Sequence, residues 1–240
     1  MSNKRVQQLI EGQNFYHVFQ PIYNLIENRI IAYEALFRSQ LFDAPEQAFR
    51  SADSYDQLFE LDKLSVTKAV KYFSDYRLEE DELLYINVFP STVRRSEFVP
   101  FIIDLVDSTR LNKGQVVIEL VELEAIKTLD DLHYNTRNLK ENGFKFSIDD
   151  VGKGSSSFRL MIELEPQIVK MDQYFTRELP HSTLKQKMIE SLVGYCDETE
   201  TDFILEGIET VQELDVAKQL GVRKAQGFYL GKPAPLKIKM

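Results

Sequence analysis

Apolar runs of strand character alternate with stretches of helical period along nearly the whole chain, and each run carries a charged or amide side chain inside it or at its C-terminal end. In order these are Glu34 in IIAYEALF, Asn87 in LLYINVF, Glu119 in QVVIELVE, Asp149 and Asp150 in FKFSIDDV, Lys170 in QIVKMD, Glu206 in FILEGIE and Gln226 in KAQGFYL. A carboxylate ending a buried strand is costly to desolvate unless a positive charge meets it. Several strands make the same costly choice, and convergence of their side chains on one charged centre is the economical reading.

The alternation predicts the fold. FYHVFQPIYN and RIIAYEALFR read as two strands joined by a short turn at Glu27-Asn28, which makes them antiparallel neighbours. Every later strand is followed by a helix. A helix over 46–74 leads to LLYINVF, one over 96–110 to QVVIELV, and one over 130–142, stopped by Gly143, to FKFSID. A short helix capped by the Ser155-Ser156-Ser157 hydroxyls precedes IVKMD, helix 182–198 precedes DFILEG, and helix 210–220, stopped by Gly221, precedes KAQGFY. The pattern predicts an α/β fold, a TIM-like (β/α)8 barrel with the first strand antiparallel to the rest, and a short N-terminal helix at about 1–13. No linker or internal repeat divides the 240 residues, so 1–240 reads as a single domain.

Composition narrows the function. With 29 basic and 38 acidic residues the net charge is −9, which disfavours a DNA or RNA polymer or an anionic membrane as partner. The N-terminal segment lacks the apolar run of a signal peptide or membrane span, so a cytoplasmic location is expected. Cys196 is the only cysteine, which excludes an internal disulfide and a cysteine-cluster metal site; at the end of a helix it reads as a packed apolar residue. His17, His133 and His181 lack metal-ligand spacing and read as structural or exposed.

In a parallel barrel the C-terminal ends of the strands gather at one mouth, where barrel enzymes keep their chemistry. Glu34, Glu119, Asp149, Asp150 and Glu206, all ionised beside a protonated Lys170, leave a charge deficit that two divalent cations neutralise. Oxygen ligands, with an amide oxygen from Asn87 and no histidine, point to Mg²⁺ or Mn²⁺ rather than Zn²⁺. The adjacent Asp149 and Asp150 allow one carboxylate to bridge two metals, an arrangement suited to hydroxide attack on a phosphodiester.

The ordered motifs FQPI (19–22), YEALFR (33–38), INVFP (86–90), IELVE (118–122), IDDVGKGSSS (148–157), VKMD (169–172), EGIET (206–210) and QGFYLGKPAP (226–235) resemble those of the EAL-domain cyclic di-GMP phosphodiesterases over nearly the whole length. The resemblance implies opening of cyclic di-GMP to linear pGpG by a homodimeric, metal-dependent enzyme. It implies Glu34, Asn87, Glu119 and Asp149 as ligands of a first metal, Asp149 being shared and Asp150 belonging to the second. Lys170 resembles the lysine that positions the attacking water and Glu206 the glutamate that helps activate it. Asp172, Glu209 and Gln226 match supporting positions, and Glu122 the anchor of the loop after the paired aspartates. Gln20, Leu36 and Arg38 resemble nucleotide contacts, and Phe228 and Pro233 resemble residues that border a guanine.

The chain departs from the family pattern in the loop after Asp150, where Val151 and Ser155 replace two aromatic residues. Weaker anchoring of that loop implies a second metal held less tightly than the first. The stretch FRSADSYDQLFELDK also matches the family loosely. Taken singly, Glu34 or Glu119 reads as a solvated edge residue, Lys170 as a surface lysine, Arg38 as a partner for a rim carboxylate and Lys153 as solvated; only the complete set makes a site. A silent module of the same fold that binds cyclic di-GMP or another protein is the alternative, and retention of every metal ligand favours the enzyme.

Overall fold

The computed structural model describes residues 2–76, 81–121, 130–153 and 157–236. A helix, α1 (Ser2–Ile10), precedes the hairpin of β1 (Phe15–Asn24) and β2 (Arg29–Ser39). Then follow α2 (Pro45–Asp53), α3 (Leu58–Ser74), β3 (Leu83–Val88), α4 (Pro90–Val93), α5 (Phe98–Asp107) and β4 (Val116–Leu120). The second half runs α6 (Asp130–Glu141), β5 (Lys145–Val151), α7 (Ser157–Leu164), β6 (Ile168–Met171), α8 (Thr183–Glu198), β7 (Asp202–Leu205), α9 (Val211–Gln219) and β8 (Lys224–Gln226). The strands close into a barrel in sequence order. β1 is antiparallel to both neighbours, β2 and β8, and the other adjacent pairs are parallel, as the hairpin predicts.

The helix expected over 46–74 is two helices. Asp56 adopts a left-handed backbone at φ 55°, and the Gln57 N–H donates to the Ala52 carbonyl, closing the end of α2. Aspartate tolerates that conformation better than most residues, so it ends a helix as glycine does. The helix expected over 96–110 is shorter, with a separate turn, α4, before it. The last strand ends at Gln226 rather than running to Tyr229.

Two apolar layers hold the barrel. Outside it, residues such as Ile86, Ile118, Phe146, Val169 and Leu205 pack against the helices. Inside, Ile22, Ala32, Tyr85, Val117, Ile168 and Ile204 fill the lower barrel. Side chains alternate across a strand, so along β2, β3, β4 and β6, and just past the end of β7, the residue two positions on from the inward apolar one faces inward too. Those residues are Glu34, Asn87, Glu119, Lys170 and Glu206. The polar layer therefore lies directly above a dry one. Cys196 is buried in α8, as expected. Among the described residues no helix is long and apolar enough to cross a membrane.

Candidate active site

Lys170 is fully buried, and its Nζ lies 2.8 Å from Glu119 Oε1, 2.8 Å from Glu206 Oε1, 3.2 Å from Glu34 Oε2 and 3.5 Å from Asp149 Oδ1. Four strands besides its own supply those carboxylates. Burial alone would lower the lysine pKa, but the carboxylates outweigh it and hold the pKa well above its ordinary value. Burial pushes Glu119 and Glu206 well above the usual carboxylate range and Asp149 up to about 6. Glu34 goes the other way: despite its burial, Lys170, Asn87 and Gln226 favour the ionised form and lower its pKa. Asn87 Nδ2 donates to Glu34 Oε1 at 2.9 Å and Gln226 Nε2 to Glu34 Oε2 at 2.7 Å.

The paired aspartates owe their placement to a β-bulge. From Ile148 to Val151 β5 takes three residue steps while its partner β6 takes two, from Val169 to Met171. The extra residue breaks the alternation that would send consecutive side chains to opposite faces. Asp150 absorbs the turn at φ 55°. Carboxylate oxygens of Asp149, Asp150 and Glu206 consequently lie within 4.8 Å of one another. Glu119 Oε2 is buried and makes no hydrogen bond among the described residues, so it has a coordination position to give. Hard oxygen donors at this density fit a magnesium-type cation.

A cavity of about 650 Å³ opens beside the cluster, lined by Glu34, Leu36, Arg38, Asn87, Asp149 and Asp150 among others. Arg38 Nη1 donates to the Phe37 carbonyl at 2.7 Å. Gln20 Nε2 donates to the Gly231 carbonyl at 3.2 Å, because the chain after β8 turns back beside β1 and pairs Ala234 with Phe19. That return requires glycine: a Cβ at Gly231 would stand 2.3 Å from Pro21 Cγ. It leaves Phe228 exposed and Pro233 half-buried on the same return segment.

The structure thus gathers Glu34, Asn87, Glu119, Asp149, Asp150, Lys170, Glu206 and Gln226. Asp172 is buried next to Asp150, and its Oδ1 accepts from the Tyr174 N–H at 2.8 Å. Glu209 is exposed before α9, and its backbone N–H donates to Glu213 Oε2. Glu122 lies outside the described residues, as does Ser155.

Three placements around the cavity were not foreseen, although His17 fits its reading as a structural residue. Lys153 Nζ contacts Asp150 Oδ2 at 2.7 Å. His17 is buried in the cavity wall with Nε2 3.0 Å from Ser65 Oγ. Gln173 reaches the same cavity. Only the Asp150-to-Lys153 spacing left a trace in the sequence, and it acquires meaning only once that segment turns.

Comparison with known proteins gives the family. The family model described as "EAL domain" matches residues 3–233. The cyclic di-GMP phosphodiesterase PdeB of Shewanella oneidensis is 26% identical over 238 residues, covering 97% of this chain and 28% of that protein. An uncharacterized protein of Mycobacterium tuberculosis is 28% identical over 233 residues, 94% of this chain and 37% of that protein. Klebsiella pneumoniae BlrP1, solved with calcium and cyclic di-GMP, has a TM-score of 0.85 at 28% identity over 93% of this chain and 56% of that chain. The chain therefore spans less than two thirds of each of these proteins. With the family model covering nearly every residue and the motif carboxylates converging in one barrel mouth, the chain belongs to the EAL domain family.

Proposed function

We propose that this domain hydrolyses cyclic di-GMP to linear pGpG with two divalent cations, Mg²⁺ or Mn²⁺, at the barrel mouth. The observation that carries the reading is the ring of Glu34, Glu119, Asp149 and Glu206 about Lys170, with Asp150 beside it. The name of PdeB and the calcium and manganese complexes of BlrP1 with the cyclic dinucleotide support it.

Glu34, Asn87, Glu119 and Asp149 would hold the first cation, and Asp149 with Asp150 the second. Bound there, the cations supply charge neutralisation at the phosphate and a hydroxide at neutral pH. Lys170 orients the attacking water and Glu206, 2.8 Å from its ammonium, takes the water's proton. One water adds across one P–O bond, and the ring opens. Gln226 fixes the Glu34 carboxylate, and Asp172 orders the turn beside Asp150. Glu209 and Glu122 complete the supporting set in this reading. Arg38 offers a fork of donors to a phosphate oxygen, while Gln20, Leu36, Phe228 and Pro233 receive the bases. The functional unit in this reading is a homodimer, which light scattering on the purified chain would test.

Incubation with cyclic di-GMP and Mg²⁺ or Mn²⁺, followed by chromatography, should show pGpG appearing as substrate disappears. Intact cyclic dinucleotide after long incubation with either metal would reject hydrolysis.

A further inference from the structure

We propose that Lys153 is an internal competitor for the second cation, so that this chain loads the Asp150 side of its metal site only by breaking the Lys153–Asp150 ion pair. The inference rests on the two-cation reading and deepens it.

Two lysines divide the acidic cluster. Lys170 sits among Glu34, Glu119, Asp149 and Glu206, and Asp150 is not among its ion partners. Asp150 is met instead by Lys153, 2.7 Å away. The Asp150 carboxylate is the one that joins Asp149 and Glu206 in the group of closely spaced oxygens, so a cation bound there draws on the same carboxylate that Lys153 pairs through Oδ2.

The local backbone holds the ammonium in place. The Lys153 N–H donates to the Asp150 carbonyl at 3.0 Å, closing a tight turn. Gly152, at φ 96°, lies so close under the Phe175 ring that a Cβ would stand 2.4 Å from it. The turn is therefore packed from outside, and the side chains of Lys153 and Asp150 leave it together on the cavity side, where both line the wall. Asp149 and Asp172 add further negative charge around the ammonium.

A monovalent ammonium opposes the divalent cation twice, by occupying a ligand and by repelling the incoming charge. The Lys153 side chain is 59% exposed, so solvent screens both effects and sets a modest size. Removing the charge should tighten the second cation about tenfold.

The test is Mn²⁺ binding to the full chain, measured as the loss of the free-ion electron paramagnetic resonance signal and by titration calorimetry. Wild type should show a tight and a weak site. Lys153→Met keeps the side-chain length without the charge, and should tighten the weak site about tenfold while leaving the tight one unchanged. Lys153→Arg should reproduce wild type, and Asp150→Asn should abolish the weak site. Superimposable isotherms for Lys153→Met and wild type, with both sites filled, would overturn the inference while leaving the two-cation reading standing. A wild-type chain that takes up no Mn²⁺ would overturn both.

Discussion

Gln226 Nε2 donates to Glu34 Oε2 at 2.7 Å across 192 residues of sequence, reaching past β1, the strand that separates β8 from β2. The contact fixes one oxygen of a proposed metal ligand while Asn87 fixes the other. Loss of such a supporting bond typically weakens metal binding by about 10- to 100-fold. Gln226→Leu should therefore raise the Mn²⁺ concentration needed for half-maximal activity by that factor with little change in secondary structure. An unchanged metal dependence would show that Glu34 is held well enough by Asn87 and Lys170.

Chemistry and binding should separate. Glu34→Ala removes a metal ligand and should abolish hydrolysis. Arg38→Ala should mainly weaken nucleotide binding, by about 1.5–3 kcal/mol if its phosphate contact is charge-assisted. Steady-state kinetics of the two variants distinguish the effects, and wild-type turnover in Glu34→Ala would refute the ligand assignment.

Metal should stabilise the fold. A cation at about 100 times its dissociation constant adds about 2.7 kcal/mol to the native state. Thermal melts with excess Mg²⁺ or Mn²⁺ should lie above those in EDTA, and equal midpoints would count against the site. Ca²⁺ should bind yet support little turnover, because its longer and looser coordination misplaces the attacking water.

His17 should make the protein acid-sensitive. Burial first, and then the charges of Lys68 and Arg38, depress its pKa from 6.5 to about 3. Between those values the unfolded chain binds a proton that the folded chain refuses, so this stability is present above pH 6.5 and is lost as pH falls toward 3. The loss reaches about 2 kcal/mol by pH 5. His17→Leu removes the titration and should flatten the acid limb of melting temperature against pH. Parallel limbs for variant and wild type would refute the assignment.

The described start of the loop after Asp150, Val151 and Gly152, packs differently from the expectation drawn from its missing aromatics. Val151 is fully buried in the main core and paired with Met171, so Val151→Phe should overpack and cost about 1–3 kcal/mol rather than restore anything. The aromatic cover comes from Phe175, over Gly152. Gly152→Ala forces a Cβ into that ring at positive φ and should destabilise more than Val151→Phe. Urea unfolding of the two variants checks the order.

By itself the sequence determined the alternation of strand and helix, the reversed first strand and the charged and amide residues that end the inner strands. Those follow from periodicity, short turns and the cost of burying charge, all of which act over a few neighbouring residues. The same local signals placed Glu34, Glu119, Lys170 and Glu206 on inward faces. Only the tertiary structure decided that Asp56 splits the helix before β3 and that a bulge turns Asp149 and Asp150 toward one group of carboxylates. It also placed Lys153 on Asp150, His17 against Ser65 and Phe175 over Gly152. Each of these depends on a left-handed backbone residue, a register shift between two strands or a contact between distant elements, and no short stretch of sequence encodes where its partner will lie.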